Sequence, residues 1–157
     1  MAADSHSEIE KFIDPWILLR QNARIIPLFG GIHSMIDASA EQAARNYAAS
    51  FFAENIWASL MLLGQKSDEP VTLVLNNSGG SVRSGFTIVD GMRHLQARGI
   101  IVRTFVLQSS MSMASAILVS GTAGYRYAFN DALIHLHPPR IELNVQNQKD
   151  QTRILEF

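Results

Sequence analysis

The sequence contains no cysteine. This absence excludes disulfide bonds, thiolate metal ligands and a cysteine nucleophile, and it leaves serine, threonine, lysine and the carboxylates as possible covalent catalysts. Charge is also scarce, because charged residues make up 17% of the chain and the net charge is -1. Without a lysine or arginine cluster, the chain lacks the electrostatic footprint of a protein that binds nucleic acid or anionic lipid.

Long apolar runs and leader-like segments are missing as well. No stretch approaches the roughly 18 apolar residues that a membrane-spanning helix needs. The N-terminal sequence MAADSHSE has neither the basic start nor the apolar region of a secretory signal. A cytoplasmic location is therefore the default expectation. Because an average soluble domain has about a quarter of its residues charged, the low charged fraction also predicts that contacts between subunits cover part of the surface.

The chain does have enough apolar material for a core. Hydrophobic residues make up 47% of its 157 residues, which is typical of one globular α/β domain. We expect a flexible, polar tail over residues 1–11. Residues 12–157 are then expected to form a single domain.

Hydrophobic periodicity predicts alternating helices and strands along this domain. Asp14 and Pro15 predict the start of a short helix, and residues 24–29 predict an edge strand, because Pro27 is tolerated only at the edge of a sheet. A long helix capped by Asp37 or Ser39 follows. Further strands are predicted at 71–75, 100–107, 125–128 and 133–137, and further helices at 82–99 and 108–121. This order predicts a mostly parallel sheet with helices on its faces.

Glycine-rich and polar residues follow the predicted strands at their carboxyl ends, where parallel sheets bind ligands. Gly79 and Gly80 can offer backbone N–H groups to an oxyanion or a phosphate. A phosphate loop would need Gly-Lys-Ser/Thr, and Ser81-Val82 stands there instead, so a nucleotide site is disfavoured. The alternative interpretation of the two glycines is an ordinary turn between a strand and a helix.

Ser112 lies at a predicted strand-to-helix turn, between the small residues Ser110 and Ala114. Such a turn can expose a nucleophilic hydroxyl beside the unpaired N–H groups of a helix start, including that of Met113. The alternative is that Ser112 only caps the helix.

Two histidines, His135 and His137, are spaced so that their side chains share one face of a predicted strand. Either could act as a general base, or both could be structural. A zinc site needs a third ligand, and the sequence pairs no further histidine or carboxylate with them. We expect no metal and no cofactor.

Four segments, taken together in order and spacing, resemble the proteolytic subunit of the ATP-dependent Clp protease: VTLVLNNSGG at 71–80, QSSMSMA at 108–114, GTAGYRYA at 121–128 and LIHLHPP at 133–139. The resemblance implies a Clp protease/crotonase-like fold of repeated βα units with a mostly parallel sheet. It also implies a serine endopeptidase that hydrolyses unfolded proteins, as part of stacked heptameric rings that work with an AAA+ Clp ATPase in the cytoplasm.

The same resemblance implies a role for individual residues. Ser112, directly followed by methionine, matches the family nucleophile, and His137 rather than His135 matches its general base. The N–H groups of Gly80 and Met113 match the oxyanion hole. The implied mechanism is attack of the hydroxyl on a peptide carbonyl, followed by release of the acyl-enzyme by water.

The chain departs from the family at several places. One extra residue lies between Gln108 and Ser112, and the segment from Gly31 to Lys66 is longer than usual. Ser78 stands where the family usually has proline, and the catalytic aspartate, with most of the helix that clasps two rings, would fall beyond Phe157. We therefore expect the chain as given to be a weak peptidase. One alternative is a ring subunit with a structural role and little chemistry. A less favoured one is a crotonase-type acyl-CoA enzyme, against which Ser112 and the distal His137 argue.

Overall fold

A computed structural model describes residues 15–35 and 52–138. No helix in these two ranges is both long enough and apolar enough to cross a bilayer. The predicted tail and the part of the predicted long helix before residue 52 lie outside the described residues. The described elements are α1 (Pro15–Ala23), β1 (Ile25–Ile32), α2 (Ala53–Lys66), β2 (Val71–Gly80), α3 (Val82–Ala97), β3 (Val102–Met111), α4 (Met113–Val119), β4 (Arg126–Ala128) and β5 (Leu133–His135).

Every strand pair in the described sheet is parallel. β1, β2 and β3 lie side by side in that order, and both β4 and β5 pair with the far side of β3. Because β4 pairs with residues 104–106 and β5 with residues 109–111, the two act as one interrupted strand. β1 is at the edge of this sheet, which confirms the expectation drawn from Pro27.

The strand order never reverses along the chain, and crossovers between parallel strands share one hand in nearly all proteins. Successive helices therefore fall on one side: α2 packs on α3, and α4 packs on α3, β2 and β3. Alternate residues of β2 and β3, such as Leu73, Leu75 and Val106, are buried in the common core. The predicted α/β class with a mostly parallel sheet is confirmed.

Arg24 ties the start of β1 to the end of α2. Its guanidinium donates hydrogen bonds to the carbonyl oxygens of Leu63, at 2.9 Å, and of Ser67, Glu69 and Pro70. Leu63 is in the last turn of α2, the other three carbonyls belong to the turn after it, and a planar group with five donors can reach all four. Arg24 thereby holds the edge strand against the turn that leads into β2.

β2 and β3 both run further than the sequence predicts. β2 extends to Gly80 and β3 to Met111, where turns are expected from residues 76 and 108. Asn77 lies opposite Ser110 across the sheet, and the end of β3 pairs with β5. The polar residues of these segments indicate a turn only when they are considered locally. Pairing with neighbouring strands keeps them extended, because strand formation depends strongly on tertiary context.

Candidate active site

The carboxyl ends of β2, β3 and β5 bring most of the predicted site residues to one edge of the sheet. β2 ends at Gly80, β3 leads directly into Ser112, and β5 ends at His135. The Ser112 N–H donates a hydrogen bond of 2.7 Å to the His135 carbonyl oxygen. Neighbouring parallel strands end side by side, so polar groups that are far apart in the sequence converge here.

Ser112 occupies a strained turn between β3 and α4. Its φ of 53° and ψ of -123° are strongly disfavoured for a residue with a Cβ atom. Ser112 holds the N-cap position of α4, yet its side chain makes no capping hydrogen bond. Since the hydroxyl does not cap, the interpretation of Ser112 as an ordinary helix cap loses its physical basis. A strained serine with an uncommitted hydroxyl favours a functional role.

Two glycines at the end of β2 each meet a different neighbour. A Cβ atom on Gly79, whose φ is +93°, would lie 2.7 Å from the Ser112 Cβ and 3.2 Å from the Met113 nitrogen. Gly80, with a φ of +142°, lies against the backbone of Ile32 in β1. Only glycine allows both approaches at these φ values. The interpretation as an ordinary turn accounts for neither contact.

Backbone N–H groups at this junction are candidates for binding an oxyanion. Met113 is the first residue of α4, so its N–H has no acceptor within the helix. The Gly79 N–H is already engaged, because it donates to Asn77 Oδ1 at 2.8 Å. Of the two glycines, this leaves Gly80, which the family resemblance assigns to the oxyanion hole, as the candidate donor.

The histidine pair lies just beyond Ser112. The rings of His135 and His137 have centroids 5.7 Å apart, and His137 follows the end of β5. Among residues 15–35 and 52–138, no further histidine or carboxylate completes a metal-binding group with them.

His137 is placed by a backbone contact. Its Nδ1 lies 2.6 Å from the Pro138 carbonyl oxygen. A carbonyl can only accept, so this contact puts the proton on Nδ1 and leaves Nε2 of the neutral ring free to accept one. Among the described residues, no hydrogen bond joins this ring to Ser112. Catalytic hydrogen bonds are often long in structures without substrate, and they tighten when the substrate binds.

Sequence reasoning missed the role of Ser115 in this junction. Ser115 is 2% exposed, and its hydroxyl contacts carbonyl oxygens at the ends of both β3 and β5. Its spacing of three residues from Ser112, in the first turn of a helix, was a signal that could have singled it out from the other nearby serines.

The model of the Clp protease family matches residues 35–154. The match covers more than half of the chain and includes Gly79, Gly80, Ser112 and both histidines. The chain belongs to the Clp protease family. This membership confirms the resemblance seen in the sequence and supports a Clp-type peptidase with the corresponding α/β fold.

Ser78 marks a difference from the usual Clp protease sequence, which has proline at this position. The Ser78 hydroxyl donates a hydrogen bond of 3.1 Å to the carbonyl oxygen of Gly30 in β1. Proline would have no hydroxyl to make this bond. Two contacts thus hold the end of β2 against the edge strand β1. One is the Ser78 hydrogen bond, and the other is the close approach of Gly80 to Ile32.

We expect Gly79→Ala to reduce the reactivity of Ser112 by about 100-fold or more, because the new Cβ atom would push the turn out of place. The measurement is the rate constant for labelling by a fluorophosphonate probe. Gly99→Ala is the matched control: Gly99 has a similar φ of +81° but no atom within 4 Å of the added Cβ. Equal labelling rates for the two variants would contradict the importance of the close approach.

Proposed function

We propose that this chain is a serine endopeptidase subunit of a Clp-type protease, with Ser112 as the nucleophile. The observation that carries the proposal is the strained backbone of Ser112, whose hydroxyl makes no capping bond and whose turn packs directly on Gly79. The chain has no cysteine, so a hydroxyl is the natural nucleophile for acyl transfer in this family.

In the proposed mechanism, His137 Nε2 accepts the Ser112 proton while Oγ attacks the carbonyl carbon of a peptide bond. The N–H groups of Gly80 and Met113 donate hydrogen bonds to the oxyanion that forms. Loss of one such donor typically costs about 10²- to 10³-fold in turnover. His137 then passes the proton to the leaving amine. Water, deprotonated by the same nitrogen, attacks the acyl-enzyme and restores Ser112.

The proposed setting is a cytoplasmic ring of identical subunits, in the family's form of stacked heptamers, that receives unfolded polypeptides from an AAA+ Clp ATPase. Exposed apolar side chains support an assembly, because a monomer rarely leaves many of them in water. Trp57, on α2, is exposed. Phe52, the residue just before this helix, is buried and so does not contribute to such a surface. The exposed apolar residues around β4 and β5 are Tyr127, Phe129, Leu133, Ile134 and Leu136.

We expect the chain to associate in solution at micromolar concentration. Covering the exposed apolar groups of β4, β5 and α2 would remove them from water, which favours association by about 25 cal/mol for each Å² that becomes buried. Sedimentation velocity measures the size of the assembly directly. A monomer under these conditions would contradict the proposed ring, but it would leave the chemistry of Ser112 open to separate measurement.

A second candidate is a ring subunit with a structural role and little chemistry. It is favoured because, among the described residues, the His137 ring makes no hydrogen bond to Ser112. A fluorophosphonate probe separates the two functions. Labelling at Ser112 supports the peptidase, whereas an assembled but unlabelled protein supports the structural subunit. Titration with an acyl-CoA tests the remaining crotonase-type alternative.

A further inference from the structure

A buried hydroxyl lies three residues beyond the proposed nucleophile. Ser115 is in the first turn of α4, and its Oγ lies 2.6 Å from the Ser110 carbonyl oxygen and 3.0 Å from the His135 carbonyl oxygen. A serine has one O–H proton, so the two acceptors share it. One acceptor belongs to the end of β3 and the other to the end of β5.

The His135 carbonyl oxygen accepts a second hydrogen bond, from the Ser112 N–H at 2.7 Å. Both donors belong to the segment that opens α4, and the acceptor lies two residues before His137. The His135 carbonyl oxygen therefore joins both the backbone of the proposed nucleophile and the Ser115 hydroxyl to the segment that carries the proposed base.

Packing gives β5 little other support. The strand spans only Leu133–His135 and pairs with β3 over residues 109–111. Its two apolar side chains, Leu133 and Ile134, are 56% and 51% exposed, so little of their surface is held by the core. Hydrogen bonds made away from water are stronger and more directional than exposed ones. The bonds to the His135 carbonyl oxygen therefore add to the pairing with β3 in fixing β5 beside the turn.

We propose that Ser115 is a positioning residue, whose buried hydroxyl fixes β5 against the Ser112 turn and so sets the approach of His137 to the Ser112 hydroxyl. This inference rests on the proposed roles of Ser112 and His137. Ser115 itself touches neither the substrate nor the reacting atoms. Its hydroxyl acts by holding two strand ends together.

We expect Ser115→Ala to lower the fluorophosphonate labelling rate constant by about 10- to 100-fold, since a displacement on the order of 1 Å can cost that much. With a small fluorogenic peptide, kcat should fall by a similar factor while KM changes little, because Ser115 is only 2% exposed and so is not accessible to a peptide at the surface. A merely structural hydroxyl would lower the melting temperature without changing the reactivity of each folded molecule.

The matched control is Ser120→Ala. Ser120 lies at the other end of α4, where its hydroxyl donates to the Ala116 carbonyl oxygen at 2.8 Å. This variant removes one serine hydroxyl and one hydrogen bond from the same helix, and it should label at the wild-type rate. Ser115→Cys is the second test variant, because it keeps a donor at this position, although a weaker one on a larger atom. It should label at a rate between wild type and Ser115→Ala, and it carries the test if the alanine variant does not fold.

The outcomes separate the two proposals. Wild-type labelling at Ser112 with unchanged rates in folded Ser115→Ala and Ser115→Cys would overturn the positioning role and leave the proposed function intact. An equal loss of labelling rate in Ser120→Ala would also overturn the positioning role, since loss of any serine hydroxyl from α4 would then have the same effect. A wild-type protein that does not label at all would instead overturn the proposed peptidase function.

Discussion

Replacing Ser112 with alanine is expected to abolish fluorophosphonate labelling and to lower the weak peptide hydrolysis of this chain by about 100-fold. A complete triad loses about 10⁶-fold without its nucleophile and about 10⁴-fold without its aspartate, so a chain expected to work without that aspartate has only the remaining factor to lose. The substitution removes the only oxygen that the proposed mechanism uses to form the acyl-enzyme. It should not cost a capping hydrogen bond, because the Ser112 side chain makes none. Intact-mass measurement of the labelled protein, followed by peptide mapping, checks both the loss and the site of the adduct.

Ser109→Ala provides the comparison for this experiment. Ser109 is close in sequence, but its hydroxyl donates to Asn76 Oδ1 at 3.0 Å, and Ser110 is fully buried. Neither offers the free hydroxyl at a helix start that Ser112 has. Labelling should persist at Ser112 in Ser109→Ala. An adduct on Ser109 or Ser110 in the wild-type protein, with Ser112 unmodified, would show that the nucleophile is misassigned.

The order of strands and helices was predictable because burial is periodic in the sequence. The apolar run at 71–75 indicates a strand in a parallel sheet, and Leu73 and Leu75 are indeed buried under the helices. Pro27 indicates an edge strand, because proline cannot complete a central hydrogen-bond ladder. Such local signals identify the elements without any knowledge of their neighbours.

The ends of the strands were less predictable because they depend on contacts across the sheet. Residues 76–80 are polar or glycine and indicate a turn, yet they continue β2 as it pairs with β1 and β3. The approach of Gly79 to Ser112 joins segments that are distant in the sequence, and so does the contact of Ser115 with the His135 carbonyl. The sequence identifies the residue types of the site, while these tertiary contacts determine which of them meet.

The choice of His137 over His135 as the base rests on matching the sequence to the family, and the structure gives it a physical test. We expect His137→Gln to lower the weak peptide hydrolysis of this chain by about 100-fold, because glutamine cannot accept the Ser112 proton and losses of triad members do not add. The peptide substrate is the appropriate readout, since its amine leaving group needs the proton that His137 returns. Some residual activity should remain, because the backbone N–H groups proposed to bind the oxyanion are unchanged in this variant.

His135→Gln is the matched control, because it alters the neighbouring ring, 5.7 Å away, and leaves the His135 backbone carbonyl that binds Ser112 and Ser115. It should keep activity within about tenfold of wild type, since the side chain has no part in the proposed proton transfer. The reverse pattern, with His135→Gln inactive and His137→Gln active, would make His135 the base. The hydrogen bond that the Ser112 N–H donates to the His135 carbonyl oxygen would then join the nucleophile's backbone to the residue that carries the base.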